Sequence, residues 1–381
     1  MKKVMIVAGE ASGDLHGSRL VRAMREQEPD LTFAGMGGEE LAAAGVEILF
    51  DAEKIAVVGL VEVLFHLSDL VAAQKTLRRW MVGERPDLLI LIDFPDFNLM
   101  LAGRAKKLGI PVFYYISPQV WAWRSGRVKT MARLVDTIGV ILPFEEAFYQ
   151  ERGVKAHYVG HPLLDSVRVV SDRSAFCAEQ GIDPERKLVG LLPGSRRREI
   201  ASLLPDFLDA AFRMQTKVET PLTFLLPVAP TISDEELQAH GLNDYGSRLD
   251  IRVIRRNRYD LMAACDCALA ASGTVTLELA LLDVPMVVTY RVSPHTYLLG
   301  RCLIGDIKYF SLVNLIADQA LVPELLQDEV NPRRIEKELC RLLFDGPSVQ
   351  VIRAGLALVR ERLGAAGAST RAAKIALALL T

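Results

Sequence analysis

From its first residues the chain alternates short apolar runs with Gly-bearing loops and stretches of helical period. Lys3–Ala8, Leu88–Ile92, Val112–Ile116 and Thr137–Leu142 are continuous Val/Ile/Leu-rich runs. Such runs predict strands buried on both faces rather than half-exposed antiparallel ones. Apolar positions three and four apart predict helices between them, at about Asp14–Glu26, Ile55–Trp80, Asn98–Leu108 and Arg124–Leu134. After Gly160-His161-Pro162 the periodicity lapses, and Arg168 to Lys187 is polar and irregular. A second series follows, with strands at Leu188–Leu192, Thr223–Leu226, Ile251–Ile254, Cys267–Ala270 and Met286–Tyr290. Its helices are predicted near Ile200–Lys217, Tyr259–Ala264 and Thr274–Leu282. The pattern predicts an α/β protein with two doubly wound Rossmann-like domains. The first covers residues 1–167, a linker region covers 168–187, the second domain covers 188–347, and C-terminal helices cover 348–381. Ligands of such sheets lie beyond the carboxyl ends of the strands, so two facing domains predict one interdomain cleft.

The length of 381 residues supports that division, because it exceeds what one core usually organises. Hydrophobic residues at 50% and charged residues at 24% exclude disordered and fibrous classes. Lys+Arg 45 against Asp+Glu 47 leaves a net charge of -2, which excludes a general basic surface for nucleic acid. Local basic clusters, such as Arg196-Arg197-Arg198 and Arg255-Arg256, remain either solvated surface or sites for anionic substrates. Five cysteines without zinc or disulfide spacing fit a reducing cytoplasm, and six scattered histidines predict no metal site. Glu10 and Asp14 interrupt any signal-like apolar region, and Pro111 and Pro118 break the longest charge-free stretch, Leu108 to Trp123.

Five loops that follow strands carry candidate chemistry. Gly9-Glu10-Ala11-Ser12-Gly13-Asp14 is either a tight turn capped by Ser12 or Asp14 or a set of backbone amides facing an anion or sugar hydroxyls. It matches neither the dinucleotide fingerprint nor the P-loop, so no nicotinamide or ATP cofactor is expected. In Asp93-Phe94-Pro95-Asp96-Phe97-Asn98 an apolar strand ends abruptly in a carboxylate, which places Asp93 either as a general base or as a helix cap. Ser117-Pro118-Gln119-Val120-Trp121-Ala122-Trp123 offers Gln119 and Trp121 to a sugar or acyl chain, or to core packing. Gly194, Ser195 and Arg196 begin the second domain's first helix, where a cation and close backbone approach can neutralise a diphosphate. Ser272, Gly273 and Thr274 open another helix, with Glu278 on the face of Thr274 for ribose hydroxyls.

Together with Gly160-His161-Pro162 and Ser311-Leu312-Val313-Asn314-Leu315, these motifs resemble the lipid-A-disaccharide synthases in order and along essentially the whole chain. The resemblance implies a GT-B fold and an inverting, metal-independent glycosyl transfer. Its donor would be UDP-2,3-diacylglucosamine and its acceptor 2,3-diacylglucosamine 1-phosphate (lipid X), giving UDP and a β-1,6 disaccharide. By resemblance Asp93 is the base, with Glu10 and Arg196 as the other catalytic residues. Gly194 and Ser195 join Arg196 at the diphosphate, and Ser272, Gly273, Thr274, Glu278 and Asn314 form the nucleotide site. Ser12, Asp14, Asn98, Gln119, Trp121 and His161 would border the sugars. The family works peripherally on the cytoplasmic face of the Gram-negative inner membrane.

The run from Ile55 to Val71 carries apolar residues at helical spacing and reads as core or as a membrane-resting helix. Residues 348–381 can pack on the first domain or on a second copy of the chain, as in a homodimer. Two rival functions remain: a UDP-N-acetylglucosamine epimerase of the same architecture, and a non-catalytic nucleotide-sugar or lipid-binding protein.

Overall fold

The computed structural model describes residues 2–55, 67–123, 126–292 and 308–380. Residues 56–66 of the apolar run from Ile55 to Val71 lie outside them, as do Arg124, His295 and Cys302. The chain forms two compact units, Met1–Asp165 with Gly364–Thr381, and Ser166–Leu363.

In the first unit the described residues form a parallel sheet of seven strands. These are β1 (Lys3–Ala8), β2 (Thr32–Gly37), β3 (Glu47–Asp51), β4 (Leu88–Ile92), β5 (Val112–Tyr115), β6 (Thr137–Val140) and β7 (Ala156–Tyr158). Their order is β3-β2-β1-β4-β5-β6-β7. Successive side chains leave a strand on opposite faces, so each apolar run feeds two cores. Met5, Val7, Leu89, Leu91 and Tyr114 enter one, which helices Leu67–Glu84 and Pro95–Lys107 cover with Ala73, Leu77, Met81 and Leu101. Val4, Ile6, Leu88, Ile90, Phe113 and Tyr115 enter the other. There Leu20, Val21 and Met24 of helix Ala11–Gln27 meet Ala372, Ala373 and Ala376 of helix Ala368–Leu377, whose small side chains permit close approach.

The second unit repeats the plan with β8 (Lys187–Leu192), β9 (Leu222–Pro227), β10 (Asp250–Ile254), β11 (Cys267–Ala271), β12 (Met286–Tyr290) and β13 (Glu324–Leu326). Among the described residues their order is β10-β9-β8-β11-β12-β13, and every pairing is parallel. Residues 168–187 carry helix Arg173–Gln180, capped by Asp172 and tied to the sheet by Arg173, which donates to the Ala264 and Arg186 carbonyls at 2.6 and 2.7 Å. Cys177, Cys265 and Cys267 are free and buried. Among the described residues no single helix is long and apolar enough to cross a membrane.

Candidate active site

Strand order determines which loops meet. In the first sheet the direction of winding reverses between β1 and β4, the position where such sheets open a crevice at their carboxyl edge. Ala8 pairs with Ile92 in register, so Gly9 and Asp93 leave the sheet side by side. A side chain at position 9 would put its Cβ 2.5 Å from the Phe94 ring, so glycine is required there by close approach.

Asp93 and Phe94 both adopt left-handed backbone conformations, with φ of 44° and 47°. For non-glycine residues that conformation is costly and persists only where the surroundings impose it. Here the Asp93 carbonyl accepts from Asn98 Nδ2 at 2.7 Å and from the Tyr114 hydroxyl, while Asn98 Nδ2 also donates to the Ile92 carbonyl at 3.1 Å. Asn98 is thus a brace of the Asp93 turn. The Asp93 side chain is half-buried. Burial and the neighbouring Glu10 carboxylate push its carboxyl from 3.8 up to about 6, against a hydrogen bond from the Phe94 amide. A carboxylate so placed is ionised at neutral pH yet more basic than a solvated one, which suits proton abstraction.

Glu10 and Ser12 are exposed at the start of helix Ala11–Gln27. Asp14, by contrast, is buried, and its carboxylate accepts from the amides of Gly38 (2.7 Å), Glu40 (2.9 Å) and Leu41 (3.2 Å). It anchors helix Glu39–Ala43 to the first loop. Gln119 is exposed and Trp121 half-buried, with the indole Nε1 donating to Glu145 at 3.0 Å. His161 is buried, accepts from the Leu163 amide at Nδ1 (3.2 Å), and is pushed down to about 4 by burial and by His16. His16 in turn is lowered to about 4 by burial and Arg19. Both imidazoles are therefore neutral near pH 7.

The second sheet reverses between β8 and β11, and Leu192 pairs with Ala270. Gly194-Ser195-Arg196 and Ser272-Gly273-Thr274 therefore emerge from adjacent strands, although some 80 residues separate them in sequence. Gly194 has φ of 113°, and a Cβ there would collide with Glu199 Oε2. Glu199 Oε2 accepts from the amides of Ser195 (2.9 Å) and Arg196 (3.2 Å), closing the first turn of helix Arg197–Lys217. Arg196 is exposed and stands 3.7 Å from Glu199. Gly273 and Thr274 are exposed at the start of helix Val275–Leu281.

Glu278 is not a free carboxylate on that helix. It is buried and accepts from Arg258 at 2.7 Å and from the Tyr259 hydroxyl at 3.3 Å. Burial raises its pKa, with Arg258 opposing. Asn314 is also enclosed: Nδ2 donates to the Val322 carbonyl and Glu324, and Oδ1 accepts from the amides of Leu321 and Val322. Glu145, His16 and Tyr114 are parts of these sites that their sequence context does not mark. Glu145, for example, reads as an ordinary acidic residue in a helix's first turn.

The model of the lipid-A-disaccharide synthetase family matches residues 4–378. The lipid-A-disaccharide synthase of Geobacter metallireducens is 49% identical over 379 residues, spanning 100% of this chain and 97% of that protein. Among solved structures, a putative UDP-N-acetylglucosamine 2-epimerase from Listeria monocytogenes superposes with a TM-score of 0.65 at 13% identity, covering 99% of this chain and 95% of that one. The calicheamicin glycosyltransferase gives 0.63 at 14% identity, covering 100% and 98%. Identities this low show the shared two-domain fold alone.

Proposed function

The chain belongs to the lipid-A-disaccharide synthetase family, and from that premise we propose how it acts as an inverting hexosyltransferase of the GT-B fold. The donor is UDP-2,3-diacylglucosamine and the acceptor 2,3-diacylglucosamine 1-phosphate. Asp93 takes the proton of the acceptor 6-hydroxyl as that oxygen attacks the donor's anomeric carbon from the face opposite UDP. The anomeric C–O bond breaks, the configuration inverts, and the electron pair leaves with the UDP oxygen. The Arg196 guanidinium, carried by the Gly194-Ser195 loop that Glu199 closes, stabilises the departing charge, with Ser272, Gly273 and Thr274 at the nucleotide. Glu10 holds the Asp93 pKa up, and Ser12, Gln119 and Trp121 border the sugars. His161 is a neutral hydrogen-bonding group at the same edge. Asp14, Asn98, Glu278 and Asn314 shape the loops that carry these contacts. No metal or other cofactor has a step in this scheme.

The observation that carries the proposal is Asp93 at the strand crossover, braced in a left-handed turn and raised to about 6. Incubation with both acylated substrates and mass spectrometry for the disaccharide 1-phosphate tests it. Disaccharide from the wild type and its loss in Asp93→Ala, with UDP binding kept, is the expected result. Conversion of UDP-N-acetylglucosamine without an acylated acceptor would favour the epimerase reading instead.

Binding to a membrane surface is part of the proposal. Val71 (60% exposed) and Met100 (50%) stand on the neighbouring helices Leu67–Glu84 and Pro95–Lys107, where Arg78 donates to the Met100 carbonyl at 3.3 Å. Apolar tips beside cations suit an anionic lipid surface on the cytoplasmic face of the inner membrane. Cosedimentation with anionic vesicles should weaken on Val71→Asp and Met100→Asp, and equal cosedimentation would remove this face from the proposal.

A further inference from the structure

Glu145 takes no part in the chemistry above, yet its side chain is 1% exposed. A carboxylate so enclosed is strongly unfavourable unless its oxygens are bonded. Oε1 accepts from Trp121 Nε1 at 3.0 Å, and Oε2 accepts from the amides of Leu142 (3.0 Å) and Ile141 (3.3 Å). Phe144 packs edge-on to the Trp121 ring, with centroids 5.0 Å apart and planes at 88°. One turn further along, the Tyr149 hydroxyl donates to Ser117 Oγ at 3.1 Å. Glu145 and Tyr149, four apart on helix Glu145–Gln150, thus grip Trp121 and Ser117 from one face. Ile116, just before Ser117, accepts from the Asp93 amide at 3.3 Å, and the Tyr114 hydroxyl donates to the Asp93 carbonyl. The segment held by Glu145 is therefore joined by hydrogen bonds to the turn that carries the base.

We propose that Glu145 is a positioning residue of the acceptor site, holding the Gln119–Trp121 edge beside Asp93 so that the indole face packs on the acylated glucosamine phosphate. The inference rests on the transferase reading and adds a residue to it. Within the segment, Ser117, Pro118 and Val120 are buried, so the exposed Gln119 and half-buried Trp121 are what it offers to a ligand. Burial pushes the Glu145 carboxyl up to about 7, opposed by its hydrogen-bond donors. Tyr149 and Tyr158 are the titratable neighbours that feel its charge.

Glu145→Gln keeps the shape but replaces one of the two acceptor oxygens by a donor, so that either the Trp121 N–H or the amides of residues 141 and 142 lose their acceptor, and Trp121→Phe keeps a ring without the N–H. Each is expected to raise the acceptor KM about tenfold with the donor KM within about twofold, and the double variant to be no worse than the worse single one. Equal changes in both KM values, or multiplying effects in the double variant, would overturn the proposal. If Glu145→Gln does not fold, the same split in Trp121→Phe decides. The indole N–H resonance of Trp121 gives a readout independent of turnover. It should move on adding lipid X to the wild type and not in Glu145→Gln. An inert wild type that shows this movement would sink the transferase reading and keep the positioning role, whereas no movement in the wild type would overturn the role itself.

Discussion

Replacing Asp93 by Asn should make the folded protein more stable while sharply lowering its turnover. The carboxyl rises from 3.8 to about 6 through burial and the Glu10 carboxylate. A group more easily protonated in the folded than the unfolded chain favours folding fully below 3.8, and that contribution is lost as pH rises through about 6. At pH 8 the wild type therefore carries the whole cost of an ionised, crowded Asp93. A rise of about 2 pH units at ~1.4 kcal/mol each is about 3 kcal/mol, and partial exposure reduces it to about 2 kcal/mol. Asn removes the charge and retains an oxygen for the Phe94 amide. Urea denaturation at pH 8 should show Asp93→Asn about 2 kcal/mol more stable than the wild type, with the difference closing by about pH 4. Turnover should fall by about 10²–10⁴, and the wild-type rate should decline below pH about 6 as the base is protonated. A variant no more stable at pH 8, or a gain equal at both pH values, would refute the account of Asp93 as a carboxylate strained by burial and Glu10.

Gly9→Ala should lower thermal stability by about 1–3 kcal/mol and reduce kcat, because its Cβ would lie 2.5 Å from the Phe94 ring next to the base. Unchanged melting and turnover would show that Phe94 gives way freely. Asn314→Ala should cost about 2–4 kcal/mol by denaturant titration, since it strands the buried amides of Leu321 and Val322. Arg196→Ala should change stability by less than about 0.5 kcal/mol, as the side chain is exposed, and weaken UDP binding about tenfold or more by calorimetry. Equal UDP affinity would remove Arg196 from the diphosphate site.

The local sequence determined the elements whose signal is local. Leu88–Ile92 and Met286–Tyr290 are read to the residue because a strand buried on both faces is a continuous apolar run. Thr32–Gly37, rich in glycine, and the three-residue Glu324–Leu326 carry no such run and emerge only from pairing with their neighbours. The loops that carry the chemistry are legible for the same reason, since each follows a recognisable strand end. Which loops meet is decided by strand order, which puts Gly9 beside Asp93 and the Gly194 loop beside the Ser272 loop across long stretches of chain. Whether a polar side chain is open to a ligand is likewise decided in three dimensions. Asp14, Glu278 and Asn314 have their polar atoms taken by groups elsewhere in the chain, while Glu145 becomes a key carboxylate only because Trp121, 24 residues earlier, reaches it. Periodicity records what a residue's sequence neighbours do to it, whereas burial and hydrogen-bond partners depend on residues that only the fold brings near.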